Sequence, residues 1–174
     1  IVFSNVLTRA RHVIRPDKLP RPARDLVEID RYPQKGAIMS SFGCNKRCRF
    51  GTAFQNPDMT YRARCVRSVI DELQSMYEMG IRTGNFVDDS FLLSPQRARN
   101  LCKGIVEAGL KMSFACQARV DDACRQPDVL GEMNEAGFTA IEFGVEAGNQ
   151  SVLNWIGKGL GIEQALEVVE IAKR

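Results

Sequence analysis

GAIMSSFGCNKRCRFG, residues 36–51, decides how the whole chain is read. It opens on a short apolar run, GAIMSSF (36–42), that stops at Gly43, the pattern of a buried strand delivered into a loop. The loop then carries two thiols, Cys44 and Cys48, among the cations Lys46, Arg47 and Arg49. Beyond it Val66, Val69, Ile70, Leu73, Met76 and Tyr77 recur at helical spacing and end before Gly80, a residue that accepts the left-handed turn after a helix. A strand, a chemically dressed loop and an amphipathic helix make one strand-helix unit.

The unit repeats downstream. An apolar stretch at 82–87 runs into Asp88-Asp89, and a helix opens at Ser94-Pro95, a capping serine followed by proline at the first helical position. That helix presents Ala98, Leu101, Cys102, Ile105 and Val106 on one face and stops at Gly109. A strand at 112–117, a helix at 127–136, a strand at 139–145 and a helix at 162–173 follow. Alternation of this kind predicts an α/β fold with a parallel sheet of about four units. A closed eightfold barrel needs roughly 200 residues or more, so the expectation is a partial (β/α) barrel with outer helices over 36–174, or else an open α/β sheet.

Upstream, residues 1–35 hold four of the chain's seven prolines (Pro16, Pro20, Pro22, Pro33) among many charges and read as a linker that follows an upstream domain. The only histidine, His12, falls in this stretch with no metal-ligating neighbours and reads as a surface residue. The chain starts on isoleucine and stops at Arg174 directly after a helical pattern, so both ends are expected to continue in a longer protein.

Of 174 residues, 44% are hydrophobic and 26% charged, enough for one domain with a core. The formal charge of +3 comes from 24 basic and 21 acidic residues interspersed along the chain, which argues against nucleic acid as a partner. No apolar stretch has the length of a membrane span and the first residues lack a signal-peptide pattern, so a soluble, cytoplasmic protein is expected. The six cysteines, at 44, 48, 65, 102, 116 and 124, are then expected as reduced thiols, and their spacing becomes a question about metal.

In parallel α/β folds the loops after the carboxyl ends of the strands share one face. Here those ends carry Cys44 and Cys48, then Asp88-Asp89, then Gln117, Arg119 and Asp121, then Gly144 and Glu146. Each group also has an ordinary reading: two plain thiols, a turn before a helix, a surface ion pair, a loop cap. Cys102 lies on an apolar helix face and reads as core, and Cys65, Cys116 and Cys124 have no partners at ligand spacing.

Taken together these residues resemble a known family. The segment GCNKRCRFG is similar to the cluster-binding loop of radical S-adenosylmethionine enzymes, whose pattern is Cys-x-x-x-Cys-x-aromatic-Cys. YRARCVRSVIDEL (61–73), FVDDSFLLSPQRARNLCKGIVEAGL (86–110), CQARVD (116–121) and IEFGVEAGNQSVLNWIGKG (141–159) resemble successive segments of the cobalamin-binding branch of that superfamily. PDKLPRPARDL (16–26) is similar to the linker that joins its cobalamin domain to the barrel.

The resemblance implies a four-iron four-sulfur cluster held by thiolates, S-adenosylmethionine chelated to its open iron, and cobalamin in a neighbouring domain. It implies that Cys44 and Cys48 are metal ligands and that Phe50 lies near the adenine. Asp88 or Asp89 would bind the cofactor's amino group, Gln117 and Arg119 would face its ribose and carboxylate, and Gly144 and Glu146 would shape the remaining wall. It further implies a small-molecule substrate and an electron donor such as flavodoxin or ferredoxin.

The departure is Gly51, which stands where the family has its third cysteine and offers no side chain to iron. A stable cluster in this chain then needs a thiol from elsewhere or an exogenous ligand. The other reading is a non-catalytic barrel fragment with a structural or interaction role, and unpaired sheet edges would invite self-association. An unrelated zinc site on Cys44 and Cys48 lacks a second ligand pair.

Overall fold

Alternation along the strands decides which way the molecule packs. A computed structural model describes residues 15–51 and 60–173, so His12 lies outside the described residues. Its main sheet is parallel, in the order β1 (Ala37–Ile38), β4 (Thr83–Phe86), β5 (Ser113–Arg119) and β6 (Phe138–Gly144). Gly84, Phe86, Phe114 and Cys116 are buried while the residues between them are more open, as period-2 geometry requires of a sheet covered on one side. The helices α1 (Val66–Glu78), α2 (Pro95–Glu107) and α4 (Asp128–Glu135) pack in sequence, α1 on α2 and α2 on α4. The expected α/β partial barrel is the observed architecture.

The core under these helices centres on four phenylalanines. Phe86, Phe91, Phe114 and Phe138 hold ring centroids between 4.8 and 5.7 Å apart. Leu73, Met76, Leu101 and Ile105 close over them from α1 and α2. Gly84 makes room for this: a Cβ there would lie 2.6 Å from the Phe114 ring.

The single strand expected over 36–42 is broken in two. After β1 the chain turns at Ser40, whose backbone N–H donates to Asp88 Oδ1 at 2.7 Å and whose carbonyl accepts from Arg97 Nη2 at 2.7 Å. Asp88 thus takes the Ser40 N–H, the Ser40 carbonyl also accepts from the backbone N–H of Arg64 at 3.0 Å, and β2 (Ser41–Phe42) leaves the sheet to pair antiparallel with β3 (Arg62–Ala63). That two-stranded ribbon closes the base of the cysteine loop.

Three further helices follow strand ends: α3 (Val120–Arg125) directly after β5, and α5 (Gln150–Ile156) and α6 (Ile162–Ala172) after β6. The first and second of these are not expected from the sequence. Residues 16–31 run through three short 3-10 turns, and Arg24 reaches back to pair with the buried Glu72 of α1 at 2.8 Å. Among the described residues no helix is long and apolar enough to cross a membrane.

Candidate functional site

The cysteine loop is fastened to the rim at several points. At its start Gly43 N–H donates to Asp89 Oδ2 at 2.8 Å, and in its middle Lys46 Nζ bonds Asp121 Oδ2 at 3.1 Å and Asp122 Oδ1 at 2.7 Å. At its far side Arg49 N–H donates to the Ile156 carbonyl of α5 at 2.8 Å, and Gly51 N–H closes a turn onto the Cys48 carbonyl at 3.0 Å. The loop so held walls a cleft of about 560 Å³ whose floor is the carboxyl ends of β5 and β6.

Cys44, Cys48, Phe50, Asp89, Gln117, Arg119, Gly144 and Glu146 are all brought to this cleft. Strand register explains the floor: Gln117 stands opposite Glu142, and Arg119 opposite Gly144. Gln117 Nε2 donates to Glu142 Oε2 at 3.1 Å. Asp88 is not brought there. Its carboxylate is buried and accepts from Ser40 N–H, from Ser40 Oγ at 2.6 Å and from Ser41 Oγ at 2.5 Å, so it holds the bend beneath the loop.

Arg119 is buried and spends every nitrogen on the protein. Nε donates to Asp121 Oδ1 at 2.8 Å, Nη1 to Cys48 Sγ at 3.0 Å and Nη2 to the Lys158 carbonyl at 2.5 Å. Burial works against its charge, but Asp121 and Cys48 outweigh it and hold the guanidinium above its ordinary value. Burial likewise disfavours the Asp121 carboxylate, and the bonds from Arg119 and Lys46 overcome this to hold it below the usual range.

The far wall is a pair that sequence reasoning half missed. Glu146 accepts from Lys158 Nζ at 2.5 Å, and the lysine is 6% exposed. Glu146 itself has φ of 72°, a left-handed backbone that costs a non-glycine residue about 1–2 kcal/mol and places its side chain back over the strand end. Gly144 leaves room for this pair, since a Cβ there would come within 2.9 Å of Glu146 Oε1 and 3.0 Å of Lys158 Nζ and push the two side-chain ends aside. Lys158 Nζ also stands 5.5 Å from the centre of the Phe50 ring.

Lys46, Glu142 and Lys158 line the cleft without having been singled out from the sequence. Glu142 could have been found, because it alternates with Gly144 along one face of the strand's last residues. The signal at Lys158 is fainter: it sits between Gly157 and Gly159, both at positive φ (67° and 68°), in a turn that a strand-helix scan passes over.

As a cluster site the residues do not suffice. Cys44 and Cys48 face the cleft, position 51 has no donor, and among the described residues no three His, Cys, Asp or Glu side chains converge as metal ligands. Between Gly51 and Cys65 the sequence contains no cysteine. As a site for a nucleoside with a zwitterionic tail, the cleft has suitable size, opposite charges side by side at Glu146 and Lys158, and an aromatic ring at Phe50.

Comparison with known proteins agrees with this layout. The chain is 32% identical over 163 residues to the uncharacterized methyltransferase PH0819 of Pyrococcus horikoshii, covering 91% of this chain and 35% of that protein. It is 34% identical over 148 residues to the hopanoid C-2 methylase of Rhodopseudomonas palustris, covering 80% and 27%. It thus spans about a third of the length of these relatives. Among solved structures, the cobalamin-dependent S-adenosylmethionine radical enzyme OxsB with aqua-cobalamin bound matches with a TM-score of 0.68 at 22% identity, over 78% of this chain and 22% of that one. The radical S-adenosylmethionine methyltransferase TsrM from Kitasatospora setae, with cobalamin and a [4Fe-4S] cluster bound, matches at 0.67 and 22%, over 79% and 28%. At that identity the likeness speaks for the fold. The profile of the Radical SAM superfamily matches residues 38–174, and the chain belongs to that superfamily.

Proposed function

We propose that this chain is the S-adenosylmethionine-binding core of a radical enzyme of the cobalamin-dependent, methylase-like kind. The single observation that carries the reading is the convergence of groups from four separated segments on one cleft: the cysteine loop, Gln117 and Arg119 of β5, Gly144 to Glu146 after β6, and Lys158. The methylase names of the relatives and the cobalamin in OxsB and TsrM supply the reaction class. A small-molecule substrate, a cobalamin carried outside these residues and a flavodoxin- or ferredoxin-like electron donor complete the proposal for the whole protein.

Within the cleft each residue takes a role that its surroundings allow. Phe50, more than half exposed, offers a face to adenine. Gln117 and Glu142 present an amide and a carboxylate to ribose hydroxyls, and of the two aspartates that the resemblance offers Asp89, which lines the cleft, meets the amino group. Lys158 takes the carboxylate that the resemblance gives to Arg119, because the nitrogens of Arg119 are already bonded. Arg119 is then a positioning residue that fixes Cys48 and the turn at Lys158. Among the described residues the chain's own thiols do not complete the ligand set of a cluster.

Calorimetry with S-adenosylmethionine tests the binding claim. One site per chain is expected, and Lys158→Gln should weaken it about tenfold, the size of one lost charge-assisted hydrogen bond. Absence of any binding heat would instead support the second reading, a non-catalytic barrel module, which Gly51 favours.

A further inference from the structure

The charged wall of the cleft keeps hydrogen-bonding capacity in reserve. Lys158 is 6% exposed, and a buried ammonium needs partners for its three N–H donors. Among the described residues its Nζ hydrogen-bonds Glu146 Oε1 alone, and the side chain lines the cleft. Two donors are thereby left for an anion. The acids beside it are only half engaged: the described residues occupy Oε1 of Glu146, through the lysine, and Oδ2 of Asp89, through Gly43 N–H. Each carboxylate keeps a second oxygen for a cation. Spare donors and spare acceptors on one cleft suit a group that carries both charges, as an amino acid does.

The same cleft does not suit iron. Of the six cysteines only Cys44 and Cys48 line it, and the buried Cys48 Sγ already accepts from Arg119 Nη1 at 3.0 Å. Cys102 and Cys116 are buried in the core. Cys65 accepts from Ser68 N–H at 3.4 Å at the start of α1, Cys124 Sγ donates to the Gln164 carbonyl at 3.4 Å, and neither lines the cleft. Residues 52–64 contain neither cysteine nor histidine, so they add no thiolate or imidazole.

We infer that this chain holds an adenine nucleoside with an amino-acid tail, such as S-adenosylmethionine, through its own side chains and without iron. The carboxylate of the tail takes the two remaining donors of Lys158, and its ammonium is met by the second oxygens of Asp89 and Glu146. A tail chelated to a metal gives up the nitrogen lone pair and with it the ammonium charge. A tail bound here stays charged at both groups, which is what the lysine and the two acids recognise.

This inference rests on reading the cleft as an S-adenosylmethionine site, and the test separates the two. The whole chain is stripped with EDTA and titrated by calorimetry with S-adenosylmethionine in three arms: with EDTA, without it, and after anaerobic incubation with ferrous iron and sulfide. The same affinity is expected in all three. The tail is isolated by comparing S-adenosylhomocysteine with 5′-methylthioadenosine, which are both neutral at sulfur while only the first has an amino-acid group. The wild type should bind S-adenosylhomocysteine about tenfold more tightly, and Lys158→Gln should close most of that gap while leaving 5′-methylthioadenosine binding unchanged. Binding of S-adenosylmethionine that appears only after iron and sulfide are added overturns this inference and leaves the cleft's assignment standing. A gap that survives Lys158→Gln, or a variant that weakens both ligands equally, overturns the role given to the lysine. If none of the three ligands binds in any arm, the assignment of the cleft falls and the inference falls with it.

Discussion

Asp121 gathers three cations around one carboxylate: Arg119 at 2.8 Å, Lys46 at 3.1 Å and Arg125 at 3.5 Å. Its carboxyl is held below the ordinary value, so the folded state binds a proton less readily there than the unfolded chain does. The sign follows from linkage: the stabilisation is complete above the unfolded value of about 3.9 and is lost as pH falls through the lower folded value. Asp121→Asn should therefore cost about 2 kcal/mol in urea unfolding at pH 7, by leaving Arg119 and Lys46 short of an anion, and the two proteins should converge as the solution becomes strongly acidic. A gap that stays constant from pH 7 to acid would show that charge is not what Asp121 contributes. The same scale shows where sequence reading stops. Asp88 and Asp89 are indistinguishable as letters, yet one turns inward to hold Ser40 and Ser41 and the other faces the cleft. Only the bend that breaks β1 from β2 decides between them.

Elements that carry a period were legible, and elements too short for one were not. The helices α1, α2, α4 and α6 and the strands β4, β5 and β6 announce themselves by apolar spacing over at least one full repeat. By contrast α3 and α5 have 6 and 7 residues, and β2 and β3 have 2 each, so their existence depends on partners far away in sequence. Glu72 is such a partner. Only 2% exposed, it sits on the apolar stripe of α1 with Arg24 at 2.8 Å and Arg64 at 2.6 Å. Its two ion pairs tie residues 15–31 and the strand β3 to the same helix, with Arg24 also donating to the Ala37 carbonyl at 2.6 Å. Breaking a buried pair costs more than the pair contributes against an apolar substitute, because the remaining charge is stranded. Glu72→Gln should thus lower stability by about 3 kcal/mol and speed tryptic cleavage at Arg24 and Arg31, read by mass spectrometry. Unchanged cleavage rates at these sites would mean that the segment is held by other contacts.

At the scale of the molecule the two ends of the sheet differ. On one side β1 offers only two residues, and the docked segment around Arg24 lies across it. On the other side β6 offers seven residues, and among the described residues it pairs with β5 alone. The four strands of the main sheet were legible from four apolar runs, and an open edge follows from that count alone. Which edge is protected was not legible, because the protection comes from irregular turns with no periodic signal. Beside β6 a groove of about 930 Å³ runs between the strand, α4 and α6, with Ile141, Phe143 and Val169 along it. A strand edge with free backbone donors and acceptors next to apolar side chains is a template for pairing. The isolated chain should therefore associate reversibly as its concentration rises in sedimentation velocity. Val169, 37% exposed, reaches the groove from the helix side, so Val169→Lys should shift that equilibrium towards monomer while leaving the unfolding midpoint nearly unchanged. If the wild-type chain sediments as a monomer at every concentration, the edge is shielded by something other than a second copy. If Val169→Lys leaves association unchanged, pairing runs through the backbone of β6 rather than through the groove.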